Sequence, residues 1–97
     1  MAKTIYTIIT TYYPRHSFGI TKEVSTKSFS DKQTAEEYFR NSIVEKVEKF
    51  GYDKNEIYLP LETSYYNIRE NFRDEALDDW FEIQIFETIL DLSLIHI

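Results

Sequence analysis

Cysteine is absent from the 97 residues, which excludes a disulfide, a thiolate zinc site and a cysteine nucleophile. Glycine occurs only at Gly19 and Gly51. A phosphate-binding loop needs several glycines close together so that backbone amides can approach the anion, and two so far apart cannot supply one. Histidine is equally scarce, at His16 and His96; a serine–histidine–carboxylate device would have to use His16, and no Gly-x-Ser-x-Gly elbow accompanies it. Asp74, Asp78 and Asp79 carry oxygens that suit Mg²⁺ or Ca²⁺, without the glycine-centred spacing of a calcium loop. No apolar run approaches the roughly 20 residues of a membrane span, and Met1 to Thr4 lead into an alternating pattern instead of an apolar leader. The expectation is a protein that is no enzyme, needs no cofactor or metal, and works in the cytoplasm of a bacterial host, away from membranes.

Aromatic residues are abundant: eight Tyr, seven Phe and one Trp. Each brings a large apolar area, and each Tyr adds a hydroxyl suited to half-buried or interface positions. No Pro/Gly-rich break divides the chain, so residues 1–91 read as one domain around one core. Residues 92–97, Leu-Ser-Leu-Ile-His-Ile, resemble the translation, in one reading frame, of a transposase end sequence used in sequencing libraries; the alternative is a genuine final strand. They read as a non-native tail on a gene from a shotgun, metagenomic assembly, to be left out of fold reasoning.

Lys3 to Tyr13 is dense in β-branched and aromatic residues with apolar groups on both faces, which predicts a central strand. Pro14 to Gly19 reads as a hairpin loop and Ile20 to Phe29 as an edge strand, with Lys22 and Lys27 opposing edge-to-edge association. Ser30 and Gln33 fit a capping box opening a helix. Its apolar stripe is Ala35, Phe39, Ile43, Val47 and Phe50, its pairs Glu36–Arg40 and Glu45–Lys49 stand at i,i+4, and Gly51 follows its end. Ile57 to Leu59 is a candidate short strand. Tyr65, Ile68, Phe72 and Ala76 recur at 3, 4 and 4, predicting a second helix of about three turns, capped by Thr63 or Ser64 and ended by Asp78-Asp79. Trp80 to Leu90 alternates as a closing strand, with Phe81, Ile83 and Ile85 on one side. The sum is an α+β domain, β-β-α-(β)-α-β, with an antiparallel sheet of three to four strands and two helices on one face.

Charge is unevenly spread. Residues 1–52 hold eight Lys/Arg and six Asp/Glu, net +2, while 53–97 hold three and eleven, net −8. The densest stretch contains Glu70, Asp74, Glu75, Asp78, Asp79 and Glu82 with one interrupting cation, Arg73. On the predicted helix, Glu70, Asp74 and Asp78 stand at i, i+4 and i+8, so three carboxylates share one face and repel one another by a few tenths of a kcal/mol each. Such a ridge is ordinary solvated surface or, with Tyr65, Tyr66 and Trp80 beside it, a docking surface for a basic partner that normally holds phosphates.

The overall charge of −6 opposes direct binding to nucleic acid. The doublets Tyr12-Tyr13 and Tyr65-Tyr66 suit packing better than base stacking, since neighbours on a strand point to opposite faces. The leading expectation is a monomeric or homodimeric binding protein that blocks a basic, nucleic-acid-handling protein surface by mimicry of nucleic acid. In size and charge the chain is similar in kind to small phage-encoded inhibitors of bacterial defence, anti-CRISPR proteins among them. The alternative is a homo-oligomeric accessory or structural protein associating through its sheet edge and tyrosines.

Overall fold

The computed structural model describes residues 2–14 and 22–91. Most of the hairpin loop with His16, the start of the expected edge strand at Ile20 and Thr21, and the tail 92–97 with His96 lie outside the described residues.

Strand β1 (Ala2–Tyr13) runs beside β2 (Glu23–Phe29), and the chain then enters helix α1 (Lys32–Lys49). A single 3₁₀ turn at Lys54–Glu56 precedes strand β3 (Tyr65–Asn67), helix α2 (Ile68–Phe72) and strand β4 (Trp80–Asp91). The four strands form one sheet in the order β2-β1-β4-β3, every pair antiparallel. The expected α+β fold, the central place of β1 and the edge place of β2 are therefore found.

Register decides which side chains meet α1. Ile8 lies opposite Ile85, Thr10 opposite Ile83 and Tyr12 opposite Phe81, while Tyr66 lies opposite Ile83. These share one face, because directly paired residues point the same way. Against them α1 lays Ala35, Phe39, Ile43 and Val47, and with Ile8, Tyr66, Ile68, Phe81 and Ile83 they form the buried core. The predicted helical stripe is thus the core-facing stripe.

Four local expectations are corrected. The N-cap of α1 is Asp31 and not Ser30: its Oδ2 accepts from the Thr34 amide at 2.9 Å and the Thr34 hydroxyl at 2.6 Å. A carboxylate also complements the positive end of the helix dipole better than a hydroxyl does. Gln33 turns instead to Glu37. Arg40 donates to the carbonyls of Leu59 and Pro60, pinning the connector to α1, although Glu45 and Lys49 do pair at 3.5 Å. Ile57 to Leu59 is not a strand; the Tyr58 amide donates to the Asn71 side chain in place of a ladder.

The fourth correction reaches the candidate site. Tyr65–Asn67 is a strand, paired with Gln84, Ile83 and Glu82, and only Ile68–Phe72 is helical. Neither Thr63 nor Ser64 caps it: Asn67 does, its side-chain oxygen accepting from the amides of Arg69 and Glu70. The helix ends where Arg73 turns left-handed at φ 52°, long before Asp78-Asp79. Pairing satisfies the edge of β4 and lets Tyr66 enter the core while Tyr65 faces away. That alternation overrides a 3-4 spacing that suits a helix equally well.

Candidate functional site

The acidic residues do not form a helical ridge. With α2 ending at Phe72, Glu70 is on a helix, Asp74 to Asp79 lie in the turns that follow, and Glu82 stands on a strand. All six nevertheless lie at one end of the sheet, where β1 finishes beside the start of β4 and Tyr13 pairs with Trp80.

Three of the six are held by tyrosine hydroxyls. Tyr52 donates to Asp74 at 2.8 Å and Tyr12 to Asp79 at 2.9 Å, both tyrosines packing against the core. On the other face of the sheet, Tyr13 donates to Glu82 Oε1 at 2.9 Å and Tyr65 to Glu82 Oε2 at 2.6 Å. Asn67 Nδ2 in turn donates to the Tyr65 hydroxyl at 3.1 Å. A carboxylate accepting a phenolic proton favours the neutral phenol, so these hydroxyls ionise late. Burial, then the bond to Glu82, pushes Tyr65 up to about 12. Tyr12 is raised mainly by burial and then by Asp79; Tyr13 and Tyr52 are raised mainly by their bonds to Glu82 and Asp74.

Trp80 anchors this end. The Tyr13 ring stacks on it with centroids 3.9 Å apart and planes 11° apart, and the Arg69 guanidinium carbon lies 4.9 Å from its centroid. Arg69 also donates to the Glu75 carbonyl at 2.9 Å, so one cation ties α2, the following turn and β4 together. Around Trp80 opens a shallow recess of about 610 Å³ lined by Asn67, Arg69, Glu70, Arg73 and Glu75. The charges there are mixed, not uniformly acidic.

Of the nine residues expected to bind a partner, Tyr65, Trp80 and Glu82 are brought together on the face away from α1. Glu70 and Glu75 stand exposed at the rim beside Trp80, and Asp78 is exposed in the adjoining turn. Asp74 and Asp79 turn toward the core-facing tyrosines. Tyr66 is buried in the core and unavailable to any partner; its hydroxyl has no hydrogen-bond partner among the described residues, and burial raises its pKa.

Sequence reasoning missed Tyr13, Asn67 and Arg69. The pairing of Tyr13 with Trp80 across β1 and β4 leaves no local signal, whereas Asn67 could have been found as the N-cap that stands two residues before Arg69. It also missed a second recess, about 450 Å³, between the end of α1 and β1–β2, where Thr10, Tyr12, Ser25, Lys46, Lys49 and Phe50 meet.

Among the described residues no His, Cys, Asp and Glu side chains gather to hold a metal ion, and no helix is long and apolar enough to cross a membrane. Glu82, with both oxygens engaged by phenols, is arranged to clamp three strands. Compared with protein-family models, with curated proteins and with solved structures, the chain matches none of them.

Proposed function

We propose that the chain is a non-enzymatic binding protein whose Trp80 end docks on a basic, nucleic-acid-handling surface of a partner protein and blocks it. The setting proposed is the cytoplasm of a bacterial host, where a phage-encoded inhibitor of a defence system would act by occupancy.

The observation that carries this reading is the gathering, at one end of one sheet, of six carboxylates from Glu70 to Glu82 against two cations, Arg69 and Arg73. Charge at this density steers association with a cationic surface and weakens with ionic strength. The division of labour differs from a uniform acidic ridge. Asp74, Asp79 and Glu82 brace the scaffold through tyrosines, and Glu70 and Glu75 at the rim of the Trp80 recess are the exposed contacts.

Capture from a bacterial lysate on the immobilised chain tests the proposal. The expected result is a nucleic-acid-handling protein, released by raising the salt and not retained by the double variant Glu70→Lys/Glu75→Lys. Equal retention by the double variant would rule this end out as the docking surface.

A further inference from the structure

Three polar side chains without partners among the described residues converge on the recess of about 450 Å³ between the end of α1 and the β1–β2 pair. Thr10 is buried, with 9% of its surface left exposed, and its hydroxyl makes no hydrogen bond among the described residues. Ser25 stands directly across from it in the strand register, so the two hydroxyls lie side by side, and that of Ser25 is likewise unengaged. Lys46 reaches the same recess from the last turn of α1, half-buried and without an ion pair among the described residues, although the chain holds seventeen Asp and Glu. Its neighbour Lys49 is already paired with Glu45 at 3.5 Å, and the exposed Glu23, which also lines the recess, pairs with neither lysine. A polar group withdrawn from water without a partner costs stability, and here an ammonium and two hydroxyls are donors that share no acceptor.

The rest of the wall is aromatic. Phe50 meets Tyr12 edge-on with centroids 6.3 Å apart and Phe81 at 5.4 Å, all three lining the recess. The Tyr12 hydroxyl is committed to Asp79, which leaves its ring to the recess.

We propose that this recess binds a small aromatic carboxylate, its ring laid against Phe50 and its anionic end held by the Lys46 ammonium and the Thr10 and Ser25 hydroxyls. The volume falls within the roughly 300–1,000 Å³ of small-molecule sites, which are mostly apolar with a few placed polar groups. Charge decides the class of ligand. One unpaired cation balances one negative charge, whereas a phosphate monoester brings about two and would meet Glu23 in a chain already at −6. A planar carboxylate accepts through two oxygens, matching an ammonium on one side and hydroxyls on the other. Its aromatic body is favoured because rings pair edge to face or offset with the rings already there.

The recess lies on the α1 side of the sheet and is tested on the isolated chain, so its occupancy and docking at the Trp80 end can fail separately.

Calorimetric titration of the full chain with naphthoate, joined to amide NMR shifts, tests the site. The expected result is one saturable site of submillimolar affinity, with shifts gathered at Thr10, Ser25, Lys46 and Phe50 and not around Trp80. Lys46→Gln and the isosteric Thr10→Val are each expected to weaken binding about tenfold. Naphthalenemethanol, which keeps the rings and lacks the charge, is expected to bind about tenfold more weakly as well. No saturable binding at millimolar naphthoate overturns the proposal, as do shifts centred elsewhere. So does equal binding of the alcohol, or tighter binding of naphthyl phosphate, because either removes the single carboxylate as the selected group. Lys46 lies outside the core, so Lys46→Gln decides the matter should Thr10→Val fail to fold; undiminished affinity in Lys46→Gln overturns the proposal.

Discussion

The hydroxyl of Tyr65 donates to Glu82 at 2.6 Å across the β3–β4 boundary, and the other oxygen of that carboxylate takes the hydroxyl of Tyr13 from β1. One side chain on β4 thereby joins both neighbouring strands on the face away from α1. Short strands such as the three residues of β3 gain little from ladder bonds alone. Glu82→Ala is expected to lower stability by about 2 kcal/mol, since two part-buried hydroxyls lose a charged acceptor. Urea unfolding measures it, and a loss no greater than that of an exposed Glu62→Ala control would contradict the clamp.

The same bonds fix the response to alkali. Tyr12, Tyr13, Tyr52 and Tyr65 all ionise later in the folded chain than the usual 10.0, Tyr65 at about 12. The folded state therefore holds more phenolic protons than the unfolded one above pH 10. Their contribution to stability is complete below that pH and is lost as pH climbs through the folded values. The urea midpoint is expected to fall from pH 10 upward, and by less in Tyr65→Phe. Absorbance titration of phenolate checks it: the signal lost in Tyr65→Phe is expected to be the part that develops well above pH 10.

Tyr66 presents the opposite case, a core phenol whose hydroxyl lacks a partner among the described residues. Removing a buried polar atom without changing the ring relieves its desolvation, so Tyr66→Phe is expected to raise stability by about 1 kcal/mol. Thermal unfolding reads the sign directly. A clear decrease would mean that the hydroxyl is satisfied after all.

Helix α1 is closed at both ends by single residues. Gly51 sits at φ 87° with nothing within 4 Å of where a Cβ would be, so Gly51→Ala is expected to cost about 1 kcal/mol through backbone conformation alone. Asp31→Ala is expected to lower stability through the lost cap. The bonds from the Thr34 hydroxyl and amide hold the Asp31 carboxyl below its usual range. This stabilisation is therefore present above the ordinary aspartate pKa and is lost as pH falls from there through the lowered folded value. Stability of the two variants against pH separates them: the deficit of Asp31→Ala shrinks in acid, and that of Gly51→Ala does not.

Much of the fold was legible because long periodic segments leave few choices. The stripe from Ala35 to Val47 admits one helix, and the alternation from Trp80 to Leu90 one strand. The region from Ile57 to Asp79 was not legible, for a physical reason. Tyr65, Ile68, Phe72 and Ala76 suit a helix by spacing, but a strand at Tyr65–Asn67 is selected by a neighbour some 17 residues along the chain, and local sequence does not contain that neighbour. The candidate site inherited the error. An aligned acidic face was expected where Asn67 starts a short helix, Arg73 ends it, and tyrosines from three separate segments draw Asp74, Asp79 and Glu82 to different sides of the sheet. The concentration of acid was legible from composition; its partners, being distant in sequence, were not.

Competition between the chain and double-stranded DNA for the captured partner tests the central claim most directly, since a protein that occupies a phosphate-binding surface excludes phosphates from it. Mutually exclusive binding is predicted, with DNA displacing the chain and the exchange weakening as salt rises. A stable ternary complex of partner, DNA and chain would contradict it.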